Sequence, residues 1–364
     1  MIIYNPKNVA IISDLHCGVH RDSELWHKIL LDYGVWLKNE LVSKQIKDLL
    51  VLGDIFHDRE EIGVQTLATV EQFFKILMND NNPINVILLN GNHDSFYRDK
   101  SDINSISIFK GWPNITVIDT PVRYGPLDKA SETGYITFLP WGCDVDTIQP
   151  TSILFGHFEI NSFKMNGNKI CEKGLSSDKF LEKSPLIFTG HFHGRNERSY
   201  DDKKIIYVGN TFQQNWGETL EEKGYYILNM LDHKYEFIPN TVSPKYYKLL
   251  FSKFLDKNNF AELKKLIPNN FIKIQVDTDI DYTKIEKLLL ALNILKPLEL
   301  STEFAVKKDD AVLLNHIAIS LDTKALFLEY IENMEIQNIK DKVIQEFTQI
   351  YESSITKINI SSNT

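Results

Sequence analysis

Five short stretches concentrate the side chains able to hold a metal ion. SDLHCG carries Asp14 and His16, LGDIFH carries Asp54 and His57, and NGNHDS carries Asn92, His93 and Asp94. FGHFEI then supplies His157, and TGHFHGR supplies His191 and His193. A lone DxH or GH arises by chance, but five such tips in order, each directly after an apolar run, are hard to explain as scattered polar groups of a core. Hydrolysis of a phosphate ester needs its oxygens neutralised, hydroxide supplied near neutral pH and the leaving oxygen supported. Two metals about 3.5–4 Å apart can do all three. One carboxylate must bridge them, and neutral imidazoles with a few oxygen ligands suit Mn²⁺, Fe²⁺ or Zn²⁺ rather than Ca²⁺. In GHFH the two histidines are two residues apart, which on an extended strand end points them to the same side. Each can then serve a different metal of a close pair.

The tips need strands to carry them, and the sequence supplies these. Apolar, β-branched runs precede each one: NVAIIS before Asp14, DLLVL before Gly53, INVILLN before Gly91, SILF before Gly156 and PLIFT before Gly190, with KIIYV before Gly209. Helical spacing over Glu24 to Lys44 and Val64 to Met78 separates the early runs. Alternating strands and helices predict an α/β domain with much parallel sheet, whose sites gather at the carboxyl ends of strands. After Pro244 the texture changes. YYKLLFSKF and NNFIKIQVD read as strands and DYTKIEKLLLALNI as a helix, a small α+β unit. From Val306 a charged stretch, VKKDDA, reads as a linker. Two helical segments follow, one with a stripe of Leu326, Phe327, Tyr330, Ile331 and Met334, the other with Ile339, Val343, Phe347 and Ile350. Both stripes can pack into a local core, or form a hairpin that docks a partner. The expected boundaries are 1–243, 244–305, 306–319 and 320–356.

The totals bound the class. The 364 residues suffice for one large catalytic domain and one or two smaller units. Apolar content of 43% and charged content of 24% are those of an ordinary soluble globular chain. No apolar run approaches the roughly 20 residues that span a bilayer, and the opening MIIYNPKNVAIISD lacks the marks of a signal peptide. Cys17, Cys143 and Cys171 show no CxxC spacing and are odd in number, which argues against a disulfide framework and for a reducing cytoplasm. The net charge of −9 argues against broad charge-driven DNA binding by the chain alone. It does not exclude a nuclease, because bound metals and a basic partner change the local sign.

The order DxH, GDxF, GNHD, GH and GHxH resembles the calcineurin-like metallophosphoesterase superfamily. Within it the chain is similar to SbcD-type DNA repair nucleases, the catalytic subunits of the SbcCD and MRN complexes, in the version found in tailed phages. LPWGCD near Pro140, the spacing of GHFEINSF to TGHFHGR, and a helical pair after a small domain carry that closer likeness. The resemblance implies a β-sandwich flanked by helices, a small α+β capping domain and a C-terminal helical pair. It implies a first metal on Asp14, His16 and His193, a second on Asn92, His157 and His191, and a bridge at Asp54. The pair would be Mn²⁺, with Mg²⁺, Fe²⁺ and Zn²⁺ as further candidates. His93 would stabilise charge on the phosphate or leaving oxygen, and Asp94 would orient His93. His57 matches a histidine tied to exonuclease action, where phosphomonoesterases of the fold more often place Asp.

The implied activity is 3′→5′ exonuclease and single-strand or hairpin endonuclease cleavage of DNA in double-strand break repair and recombination. The implied partners are an SMC-like coiled-coil ATPase of the SbcC type and a second copy of the chain, in the cytoplasm, which for a phage protein is the host's. The alternative is a phosphomonoesterase or cyclic-nucleotide phosphodiesterase on the same catalytic domain. Arg195 and Arg198, with Lys203 and Lys204, form a basic cluster past the last ligands, either a solvated face or a DNA-backbone contact. Cys17, His20, His27, Asp58 and Arg59 need no function, and the last two read as a solvated loop.

Overall fold

A computed structural model describes residues 8–79, 81–125, 134–165, 169–254, 257–277, 282–304 and 342–349. The chain forms two compact units, Met1–Ile274 with Asp279–Thr302, and Gln275–Thr278 with Glu303–Thr364. The first unit holds two six-stranded sheets. One runs in the order β12 (Tyr235–Pro239), β11 (Gly224–Asn229), β1 (Asn8–Ile12), β2 (Asp48–Val51), β3 (Asn85–Leu89) and β4 (Ile115–Ile118). The other runs β5 (Val122–Tyr124), β6 (Ile136–Leu139), β7 (Ile153–His157), β8 (Leu186–Gly190), β10 (Lys203–Tyr207) and β9 (Asn196–Tyr200). Each sheet contains a run of four strands joined by three parallel pairings: β1 with β2, β2 with β3 and β3 with the edge strand β4 in the first, β6 with β7, β7 with β8 and β8 with β10 in the second. The α/β domain with much parallel sheet expected from the runs, and the β-sandwich flanked by helices implied by the resemblance, are the fold observed.

Period-two alternation explains why these runs read as continuously apolar. Val9, Ile11, Leu50, Leu52, Ile87 and Leu89 turn toward Phe138, Phe155, Phe188 and Ile206 of the other sheet. Their neighbours Ala10, Ile12, Leu49, Val51, Val86 and Leu88 pack with the residues of helices Glu24–Ser43 and Val64–Met78. The second sheet is covered on its far side by Phe158, Phe163 and Phe180 against Leu154, Ile187 and Tyr207. A strand buried on both faces has no solvent side to mark with polar residues. The strand ends therefore stand out as the polar positions of the sequence.

The region after Pro244 contributes a three-stranded sheet, β13 (Tyr246–Leu250), β14 (Phe271–Val276) and β15 (Glu299–Phe304), with the helix Tyr282–Asn293. YYKLLFSKF is strand only in its first half; Phe251–Phe254 turns into a short helix. This sheet attaches to the sandwich through stacked aromatics: Phe271 lies 4.3 Å from Tyr246 and 5.7 Å from Trp26, ring centre to ring centre. Of the C-terminal stripe, Leu326, Phe327, Tyr330, Ile331 and Ile350 lie outside the described residues. Val343 and Phe347 lie on a helical stretch over 342–349, both half-buried. No helix among the described residues is long and apolar enough to cross a membrane.

Candidate metal centre

The tips after β1, β2 and β3 of one sheet and β7 and β8 of the other meet at one edge of the sandwich. Crowding there dictates the backbone. Gly53 has φ +92, and a Cβ on it would stand 2.5 Å from His157 Nδ1; one on Gly190 would stand 2.5 Å from the Leu52 carbonyl. Only glycine permits the two sheets this approach. Four of the proposed ligands also adopt left-handed backbone, Asp14 at φ 55, His16 at 47, Asp54 at 52 and His191 at 92. Such conformations cost about 1–3 kcal/mol each and persist where surrounding structure enforces them, as at functional sites.

Two groups of donor atoms combine one carboxylate with two imidazoles, Asp14, His16 and His193 in one and Asp54, His157 and His191 in the other, each with its ligand atoms within 4.8 Å of one another; a third, all-imidazole group, His16, His57 and His93, shares His16 with the first. His193 Nε2 and His16 Nε2 are 2.9 Å apart. Asn92 Oδ1 lies 2.8 Å from His157 Nε2 and 2.7 Å from His191 Nδ1. Asp54 faces both groups, with Oδ2 3.7 Å from His16 Nε2 and 3.4 Å from His157 Nε2. Its Oδ1 accepts the backbone N–H of His93 at 2.8 Å. Lone pairs converging from seven side chains are what a pair of cations would satisfy. This donor set fits a dimetal centre.

Charge is distributed unevenly over the set. Burial raises the Asp14 carboxyl, and Asp54 beside it adds to this against the pull of His157. Burial also works to raise Asp54, but His157, His16 and His93 around it hold it well below the carboxylate range. Burial works to lower His157, yet Asp54 and the bond to it push it up to about 9. His191 is held down to about 3 by burial and by His157. Burial and His193 likewise press His16 down, while His193 itself is raised, against burial, by its bond to Glu218. Each carboxylate-bearing group thus pairs one histidine raised from the ordinary imidazole value with one lowered below it.

His57 and His93 lie beside the first group. Their rings stack at 5.8 Å, and His16 meets both edge-on at 5.4 and 4.7 Å. His93 Nδ1 is 2.5 Å from the His57 carbonyl, so the GDIFH loop, rather than a carboxylate, orients this ring. Here the expectation for Asp94 is corrected. Its carboxylate accepts the backbone N–H groups of Ile55 and Phe56 on one oxygen and of Gly91 on the other. Fully buried, it locks the Asp54 loop to the Asn92 loop instead of bonding the His93 ring. Burial and the nearby Asp54 charge push its pKa up to about 7.

Four contacts had no signal in the sequence. Glu218, 25 residues beyond His193, bonds its Nδ1. Gln214 donates to the Leu15 carbonyl between Asp14 and His16. Trp141 of LPWGCD stacks on His191 at 5.1 Å. Arg59, read as a solvated loop residue, brings Nη2 to 2.8 Å of the Asn92 amide; with that amide turned over, its nitrogen would donate to His157 and His191 and its oxygen accept from Arg59. The basic cluster has partners close by. Arg195 pairs with Glu222 at 3.4 Å and lies over Phe237, and Arg198 donates to the Ser162 carbonyl and lies over Phe163. Lys203 donates to the Leu181 carbonyl, and Lys204 to Glu197 and Tyr235. His20 stacks on Trp26 and His27 pairs with Asp22, while Cys17, Cys143 and Cys171 are free thiols.

Residues 7–220 match the sequence profile of the calcineurin-like phosphoesterases. Exonuclease subunit 1 of Enterobacteria phage T4 is 26% identical over 305 residues, covering 80% of this chain and 85% of that protein. An uncharacterised protein of Acanthamoeba polyphaga mimivirus is 23% identical over 255 residues, 64% of this chain and 18% of that protein. Among solved structures, a dimetal phosphatase from Danio rerio superposes with a TM-score of 0.37 at 9% identity, over 63% of this chain and 94% of its own.

Proposed function

Since the chain belongs to the calcineurin-like phosphoesterase family of metal-dependent hydrolases, we propose that it is a nuclease that cuts phosphodiesters in DNA. One observation carries the reading beyond the family: His57 stands stacked on His93 at the edge of the metal-ligand groups, a second imidazole where a phosphate diester would lie. The likeness to the phage exonuclease subunit, extending over most of that protein's length, supports the nuclease reading.

Asp14, His16 and His193 would hold one metal and Asn92, His157 and His191 the other, with Asp54 between them. When bound, the pair would neutralise the phosphate oxygens and make hydroxide available near neutral pH. Mn²⁺ is the proposed ion, and Mg²⁺, Fe²⁺ or Zn²⁺ are compatible with the donors. The chain's own groups do the rest. His93, its Nδ1 tied to the His57 carbonyl, keeps Nε2 for the developing charge on the phosphate or leaving oxygen. Arg59 stands 2.8 Å from the Asn92 amide, and its planar guanidinium suits a non-bridging phosphate oxygen. His57, stacked on His93, steers the diester past the first group. Asp94 supports these steps by keeping the two loops in register.

A coiled-coil ATPase of the SbcC type would dock on the C-terminal region, where Val343 and Phe347 belong to the apolar stripe, and a second copy of the chain would complete the assembly. Purified full-length protein with Mn²⁺, given duplex and hairpin DNA with and without that ATPase, tests the activity. Cleavage from 3′ ends and of hairpins is expected. Ready hydrolysis of p-nitrophenyl phosphate with DNA left untouched would instead establish a phosphomonoesterase. Deletion of residues 320–364 is expected to abolish co-purification with the ATPase while metal binding continues.

A further inference from the structure

Glu218 is a carboxylate buried to 1% exposure with no direct part in the donor groups. It lies at the end of the short turn Trp216–Glu218, in the loop that follows β10. Burying a charge is costly unless it is paired and fully hydrogen-bonded, and here every lone pair is engaged. Oε1 accepts from His193 Nδ1 at 3.3 Å and from Asn215 Nδ2 at 2.8 Å. Oε2 accepts from Asn210 Nδ2 and the Gln214 backbone N–H, both at 3.0 Å, and pairs with Lys223 Nζ at 3.3 Å. Lys223 is buried too, and the same Nζ donates to the His193 carbonyl at 2.7 Å. One carboxylate and one ammonium therefore grip His193 at both its ring and its backbone.

We propose that Glu218 is a positioning residue for the metal centre: it fixes His193 with the proton on Nδ1, aims the Nε2 lone pair at the first metal, and stands as a negative charge behind that ligand. The inference rests on the dimetal reading of the site and deepens it. Imidazole ligands whose second nitrogen donates to a carboxylate are better oriented and more basic, and losing the carboxylate typically weakens metal affinity about 10–100-fold. Lys223 completes the clamp. Shared between Glu221 Oε2 at 2.6 Å and Glu218 Oε2 at 3.3 Å, it offsets part of the Glu218 charge, and through the His193 carbonyl it sets where the ring begins. Gln214 extends the clamp to the opposite ligands, since its backbone donates to Glu218 and its side chain to the Leu15 carbonyl. The histidine facing it across the first group, His16, has no such support: its Nδ1 is buried without a partner. Order in that half of the site thus depends on Glu218.

The test is Zn²⁺ titration of the full-length metal-free chain by calorimetry, without DNA, for the wild type, Glu218→Gln and Glu218→Asp. Two sites are expected in the wild type. In Glu218→Gln one of them should weaken about 10–100-fold while the other holds, and Glu218→Asp should restore part of the loss. A merely structural role would lower thermal stability and leave both affinities in place, or weaken both equally; either result overturns the proposal. Should the variants fail to fold, the ¹⁵N spectrum of the His193 ring in the Zn²⁺-loaded wild type decides, and a proton on Nε2 overturns it. A wild type that takes up no Zn²⁺ overturns this inference together with the metal-centre reading. One that binds two Zn²⁺ but never cuts DNA overturns the nuclease reading alone.

Discussion

The two halves of the metal centre are built from the same residue types but held by different means. His157 is buried to 1% exposure, and its Nδ1 is 2.7 Å from the carbonyl of Leu52, a backbone atom of the neighbouring sheet's strand end. His193 is held by the buried side chain of Glu218 at 3.3 Å, and its own side chain is 22% exposed. A ligand tied to a sheet carbonyl is as rigid as the sandwich, and no single substitution removes its support. A ligand tied to a carboxylate gains basicity but depends on one residue in a loop. One half is fixed by the fold, the other by a side-chain network.

Substitutions divide along that line. Asp54→Asn removes the carboxylate that faces both halves, so hydrolysis should fall to background and the second metal should be lost, read by metal content and by activity in Mn²⁺. His93→Ala should lower turnover roughly 10²–10⁴-fold with both halves still loaded, since His93 donates only its backbone N–H to Asp54. Loss of metal in that variant would show His93 to be a ligand.

A pH series probes the two raised histidines. In the metal-free chain His157, pushed up to about 9, carries a proton at neutral pH, whereas His191, held near 3, does not. Metal must displace that proton, so affinity in this half should rise about tenfold per pH unit through neutrality and level off near the His157 pKa. His193 is also raised, so the other half should gain affinity with pH as well. In Glu218→Gln that gain should shrink while the His157 half keeps its slope. Arg59→Ala should raise the KM for DNA about tenfold and leave the affinities of both halves unchanged. His57→Ser should give the smallest change, a few-fold loss of exonuclease relative to endonuclease cleavage; equal loss of both would remove its steering role.

The candidate donor set was legible before any coordinates because its logic is local. Parallel strands buried on both faces leave polar residues only at their ends, so Asp14, His16, Asp54, Asn92, His157, His191 and His193 appear as interruptions in apolar runs. The helices at Glu24–Ser43 and Val64–Met78 followed from their periodicity in the same way. The role of Asp94 was not legible in the same way: the resemblance implies that it orients His93, whereas in the fold its carboxylate meets three backbone N–H groups, two of them from a different strand end.

Sequence alone determined which residue types gather at the strand ends and that they suit two cations. Tertiary structure decided how those residues are held. Glu218 bonds a histidine 25 residues earlier and Arg59 reaches an asparagine 33 residues later, each across a turn of the chain whose course no periodicity records. Spacing within one strand reports which side chains share a face. The partners of a side chain across two sheets depend on how closely those sheets approach, and here that distance is set by glycines such as Gly53 and Gly190 packing against the opposite strand ends.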